Sequence, residues 1–184
     1  IKIFLLTFID LKNNKILKTF PFVFTTGFTV SGDEKLCVIY GWGEDSKLFN
    51  LSNNRVITAF VGHGQRVVGA AISHNKSLIA TISFDATTRL WNANNGEELG
   101  VLKGQLLSPH AVVFSRDDKR LFVATGEGTI KIWDVALQTE LMTIKTDRKY
   151  AHRIALNNHE SLCVKVGNSL QIFKSPITRN ISLE

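Results

Sequence analysis

Cysteine is scarce. Cys37 and Cys163 are the only two in 184 residues, too few for a disulfide framework, and neither has a partner at metal-ligand spacing. A reducing, intracellular setting, cytoplasmic or nuclear, is the expectation. Long apolar runs are missing as well. The opening IKIFLLTFI carries Lys2 and falls far short of the roughly 20 apolar residues of a spanning helix. It also lacks the charged lead and cleavage-site pattern of a signal peptide. No membrane contact is therefore expected. The chain begins with Ile1 rather than Met, so further sequence is expected upstream. There is no glycine-rich phosphate loop, no loop pair of carboxylates and no metal-ligand cluster, so neither an enzyme, a cofactor nor a metal is expected.

What is present is a globular composition, 44% hydrophobic and 21% charged, with a net charge of +6. A basic balance permits an acidic partner, whether nucleic acid, a protein surface or a membrane face, but demands none.

The chain repeats itself. DATTRLWNANNGEELGVL, EGTIKIWDVALQTELMTI, EDSKLFNLSNNRVITAF and TFIDLKNNKILKTF align so that Trp91, Trp133, Phe49 and Ile9 coincide. A fifth copy, GNSLQIFK, places Phe173 there; in chain order the steps are 40, 42, 42 and 40 residues. An apolar residue returns 11 positions after each of the first four anchors, at Phe20, Phe60, Leu102 and Ile144. Upstream, Val30, Ile72, Phe114 and Leu156 recur every 42 residues, followed by the polar turns SGDEK, SHNKS, SRDDK and NNHES. Within a copy the apolar stretches VVGAAI, LIATI and LFVAT are short, with no sustained helical period. Each copy therefore reads as four short strands.

A four-stranded repeat of 40 to 42 residues, with Gly62-His63 near its start and Trp-Asp near its end (Trp133-Asp134), resembles the WD40 β-propeller family. The match is fullest over residues 62 to 144. It implies an all-β fold of four-stranded antiparallel blades in an incomplete ring of about four: a partial blade of two strands at 1–20, then blades at 22–60, 66–102, 108–144 and 150–184, the last with an uncertain final strand. Pro176 confines that strand to an edge. The ring is expected to be completed by absent blades of the same chain or, as the alternative, by a homodimer.

The resemblance also implies a buried chain of hydrogen bonds in one blade, formed by His63, Thr81 (Ser83 is the other choice), Asp85 and Trp91. Burial is the physical reason, because an indole, an imidazole and a carboxylate enclosed between sheets must satisfy one another. The same residue types form nucleophilic triads, but Thr81 lies within an apolar strand rather than on an exposed, strained turn, so a structural role is expected. The other copies carry eroded versions. The third keeps Trp133 but has Glu127 for the aspartate and Gly104-Gln105 for Gly-His; the second has Gly43 or Asp45 and Phe49; the fifth has Gly167 and Phe173. Cys37 and Cys163 fall on the strand position of Ile79 and Phe122 and read as small buried hydrophobes.

Family binding surfaces lie on the wide face, in the loops leading into each innermost strand and the turns between second and third strands. Here these hold Phe22, Gln65, Arg66, Pro109, His110, Tyr150 and His152, and Trp42, Phe84 and Glu127. The partner-binding candidates are Trp42, Arg66, Phe84, His110, Tyr150 and His152. His110 and His152 occupy matching positions but lack a third ligand, so no metal is expected. Lys145, Arg148, Lys149 and Arg153 surround Tyr150, a pattern that can hold a phosphate backbone and stack a base. The resemblance implies a non-catalytic scaffold or sensing module with protein partners; the alternative is a nucleic-acid-associated propeller for ribonucleoprotein assembly, using the basic loop at 145–153.

Overall fold

The computed structural model describes residues 4–10, 15–22, 25–42, 45–104, 108–147, 151–157, 161–166 and 169–173. Every regular element among them is a strand. Strands β1 (Phe4–Asp10) and β2 (Lys15–Phe22) form a two-stranded sheet. Three four-stranded meanders follow: β3 (Thr25–Val30), β4 (Leu36–Gly41), β5 (Asp45–Asn50) and β6 (Arg55–Val61); β7 (Val67–Ile72), β8 (Leu78–Ser83), β9 (Thr87–Asn92) and β10 (Glu98–Lys103); β11 (Pro109–Phe114), β12 (Arg120–Thr125), β13 (Thr129–Asp134) and β14 (Glu140–Lys145). The last sheet has three described strands, β15 (Ala151–Leu156), β16 (Leu162–Val166) and β17 (Ser169–Phe173). All pairings are antiparallel between neighbours in sequence. The chain is thus an arc of propeller blades.

Two boundaries differ from expectation. Phe22 ends β2 rather than leading into β3, because β2 follows β1 all the way to the Phe4 partner position. The blade after it begins at Thr25. The expected last strand, at 176–184, lies outside the described residues.

Blades stack face to face, which is why β8 and β12 read as nearly unbroken apolar runs: both faces are covered. Val38, Leu48 and Phe60 of the first full blade pack on Ala70, Ile79 and Trp91 of the second. Ile82, Leu90 and Leu102 of the second meet Val112, Leu121, Val123 and Trp133 of the third. Phe122, Ala124 and Ile130 of the third meet Ile154, Leu162 and Val164 of the last. Each fully buried Leu, Ile or Phe contributes about 1.5–3 kcal/mol, so the inter-blade layers hold the arc together.

The polar turns are built alike. Ser31, Ser73 and Ser115 each accept the backbone N–H five residues on, all at 2.9 Å. Their hydroxyls donate to Asp33, Asn75 and Asp117 at 2.7, 2.8 and 2.6 Å. The next residue, Glu34, Lys76 or Asp118, takes a left-handed conformation with φ of 58°, 62° and 60°. Adjacent turns also clasp each other. The Asp118 carboxylate accepts the backbone N–H groups of His74 (2.7 Å) and Asn75 (2.9 Å) of the preceding blade, and Lys76 pairs with Asp33 one blade further back.

The innermost strand of every blade carries a bulge at one fixed place: Thr26, Val68, His110 and His152 are each skipped in the register. A bulge re-aims the side chain of its extra residue. It delivers the Thr26 hydroxyl to the Val67 carbonyl of the next blade, 2.9 Å away.

Candidate partner-binding face and its bracing

Two constellations stand out, one inside a blade and one at the rim. The first joins the loop before β7, the centre of β8, the β8–β9 turn and the end of β9. His63 Nδ1 is 2.8 Å from Asp85 Oδ2, and His63 Nε2 is 2.7 Å from Thr81 Oγ1. The Trp91 indole N–H donates to Thr81 Oγ1 at 2.8 Å. Ser83, the other choice for the hydroxyl, instead donates to the Gln65 carbonyl and accepts from the Asp85 N–H.

Proton directions follow from the ends of the chain. Trp91 has only a donor and ionised Asp85 only acceptors. Thr81 therefore accepts from the indole and donates to Nε2, and Nδ1–H donates to Asp85; we assign this tautomer from the network. A second proton on His63 would aim Nε2–H at a hydroxyl oxygen already receiving the indole. Burial agrees, pushing the His63 pKa below its usual 6.5 despite the opposing pull of Asp85. Burial alone would raise the Asp85 carboxyl, but hydrogen bonds from Thr87 and His63 outweigh it and hold it below 3.8. The contact is thus a neutral imidazole donating to a carboxylate rather than an ion pair.

The sequence reading missed Thr87. Its hydroxyl and backbone N–H both bond Asp85 Oδ1, at 2.6 and 3.0 Å, and Gly64 N–H bonds Oδ2 at 3.0 Å. A hydroxyl two residues after a turn aspartate was the available signal, as in any Asx-type turn. With Thr81 fully buried and Trp91 only 1% exposed, no substrate reaches the hydroxyl. In the third blade the chain is broken: Val123 stands where Thr81 does, and the buried Trp133 Nε1 has no partner among the described residues. Thr125 and Thr129 bond each other across the turn at 2.7 Å, while Glu127 is exposed. Cys37 is buried, which pushes its thiol up to about 11; Cys163 is only half-buried.

The second constellation lies at the seam of the first two full blades. The Arg66 guanidinium carbon sits 5.5 Å from the centre of the Trp42 ring and 5.7 Å from that of Phe84. Trp42 is 58% exposed and Phe84 42%. Two seams further on, between the third full blade and the last sheet, the bulges bring His110 and His152 together, with ring centres 5.0 Å apart. Burial and the neighbouring His152 charge both lower the His110 pKa. Among the described residues no group of three or more His, Cys, Asp or Glu side chains is placed to hold a metal. Lys145 is exposed at the end of β14 and Arg153 is exposed within β15; Arg148, Lys149 and Tyr150 lie outside the described residues.

Comparison with known proteins identifies the repeat. The model described as "WD domain, G-beta repeat" matches residues 54–92 and 96–134. Both stretches are WD40 repeats. The first match covers β6 to β9 with His63, Thr81, Asp85 and Trp91 inside it, and the second ends on Trp133-Asp134. Among curated relatives, the chain is similar to the small ribosomal subunit protein RACK1 of Caenorhabditis elegans, 33% identical over 125 residues, or 68% of this chain and 38% of that protein. It is also similar to the small ribosomal subunit protein RACK1y of Oryza sativa subsp. japonica, 32% identical over 106 residues, 58% of this chain and 31% of that protein. The chain thus matches less than half the length of each relative.

Proposed function

We propose that this chain is the blade-bearing part of a non-catalytic, intracellular interaction platform whose wide-face loops hold protein partners. The observation that carries the reading is the division of labour between the two constellations. The His63–Asp85 chain is enclosed and self-satisfied, as bracing is, whereas Trp42, Arg66 and Phe84 are clustered at the rim with aromatic surface in water. Exposed Trp and Arg in one cluster match the composition of interface hot spots. Further blades of the same polypeptide complete the ring, with a second copy as the alternative.

The test is capture of protein partners by the full-length polypeptide and by its Trp42→Ala/Phe84→Ala form. Loss of specific partners from the variant, at unchanged thermal stability, is expected; identical partner sets would contradict a wide-face platform.

A second reading, contact with ribosomal or other RNA, draws on the names of the two relatives, both small ribosomal subunit proteins, and on the basic stretch at 145–153. It requires RNA binding that drops on neutralising Arg148 and Lys149 and weakens steeply with salt. Flat salt dependence would remove it.

A further inference from the structure

The platform reading leaves the kind of partner open, and the seam between the first two full blades narrows it. Arg66 is held from several sides. Its own carbonyl accepts the Phe84 N–H at 3.0 Å, the carbonyl before it accepts the Ser83 hydroxyl at 3.0 Å, and the carbonyl after it accepts Thr26 across the seam at 2.9 Å. Its guanidinium lies over rings contributed by two different blades. Among the described residues its enclosed Nε has no hydrogen-bond partner and no carboxylate forms an ion pair with it.

A guanidinium stacked on aromatic faces keeps its in-plane N–H groups for a planar acceptor, and the fixed fork loses little freedom on pairing. The flanking rings add apolar area beside that acceptor. We propose that the Trp42–Arg66–Phe84 cluster is the docking site for an acidic linear segment of a partner protein. A Glu or Asp carboxylate lies along the edge of the guanidinium, and an adjacent apolar side chain lies on the exposed part of the Trp42 or Phe84 ring. The net charge of +6 steers such a segment inward. Single-stranded nucleic acid fits less well. A single cation suffices for one carboxylate but is a poor match to a phosphate backbone, which gains affinity from several.

This inference rests on the platform reading, and its test separates the two. A random peptide library is panned against the full-length polypeptide, with counter-selection on Arg66→Ala. The selected peptide, its Asn/Gln-neutralised form and a single-stranded oligouridine are then titrated. Enrichment of Asp or Glu next to an apolar residue is expected. Affinity should fall about tenfold or more for Trp42→Ala and for the neutralised peptide. Arg66→Lys, which keeps the charge and the fold but not the fork, should cost about fivefold. Peptides that lack acidic enrichment yet are lost on Trp42→Ala overturn the acidic partner while sparing the platform. Oligouridine bound more tightly than any peptide, and lost with Arg66→Ala, overturns it in favour of RNA. No ligand sensitive to Trp42, Phe84 or Arg66 overturns both.

Discussion

At the scale of single residues, Thr81 is the pivot. It receives the Trp91 indole and supplies the His63 imidazole while itself fully buried. Thr81→Val keeps the shape but orphans a donor and an acceptor, so a loss of about 2–3 kcal/mol is expected in urea unfolding. A change under about 0.5 kcal/mol would mean that the chain of bonds braces nothing. The protonation states give a pH signature. With its folded pKa below 6.5, His63 binds fewer protons in the native than in the unfolded state just under that pH. Stability therefore rises with pH through that window and falls on acidification below about 6.5. His110 adds in the same direction, since burial lowers it too. Asp85, held below 3.8, contributes stability present above that value and lost as pH falls through its folded pKa. Urea midpoints followed from pH 8 downward should drop first for the histidines and again for the carboxylate. His63→Gln should shrink the first step to the part due to His110 and, by removing the imidazole that helps hold Asp85 down, weaken the second as well.

At the scale of the blade, the third copy offers a rescue experiment. Trp133 Nε1 is buried without a described partner because Val123 replaces the threonine. Val123→Thr supplies the acceptor and should be neutral or stabilising, although burying a hydroxyl ordinarily costs about 1–3 kcal/mol. Val164→Thr is the matched control. Val164 is equally buried, but the residue at the indole position is Phe173, which has no donor, so the ordinary cost is expected there. Equal losses at both sites in thermal unfolding would show that the indole does not seek an acceptor. The blade is also where the sequence was most legible. Val30, Ile72, Phe114 and Leu156 end the innermost strands because apolar strand residues give way to turn-forming Ser and Asn. The grouping of His63, Thr81, Asp85 and Trp91 in one blade was implied by the resemblance to the WD40 family, carried over residue by residue. The bulges at Thr26, Val68, His110 and His152 could not be read, because each falls at the second residue of its strand and leaves only one residue out of phase with the rest. The clasp of Asp118 on His74 and Asn75 escaped for a different reason: it joins turns 43 and 44 residues apart, through inter-blade geometry that no single copy contains.

At the scale of the molecule, the last described strand, β17, carries apolar side chains on an uncovered face. Leu170 and Ile172 of β17 are 64% and 61% exposed, where the equivalent faces of earlier blades are covered by a neighbour. A blade face of this kind is an association surface. Residues 1–184 produced alone should therefore sediment as concentration-dependent oligomers, with Leu170→Glu/Ile172→Glu shifting them towards monomer; a monodisperse monomer at all concentrations would contradict the open-arc fold. The same scale explains the unread part of the rim. Trp42, Arg66 and Phe84 were each placeable on wide-face loops, but their convergence depends on how two blades meet at Thr26 and Val67. Recognition at the rim and bracing in the interior are separate functions of one repeat, and the claim rests on the interior being sealed. Nitrogen-15 spectra of the histidine rings in the full-length polypeptide, followed from pH 8 to pH 5, test that most directly. A sealed brace predicts His63 protonated on Nδ1 and bare on Nε2, neutral below 6.5, with a slowly exchanging Trp91 indole proton. A His63 ring that titrates at or above 6.5, beside a freely exchanging indole, would contradict it.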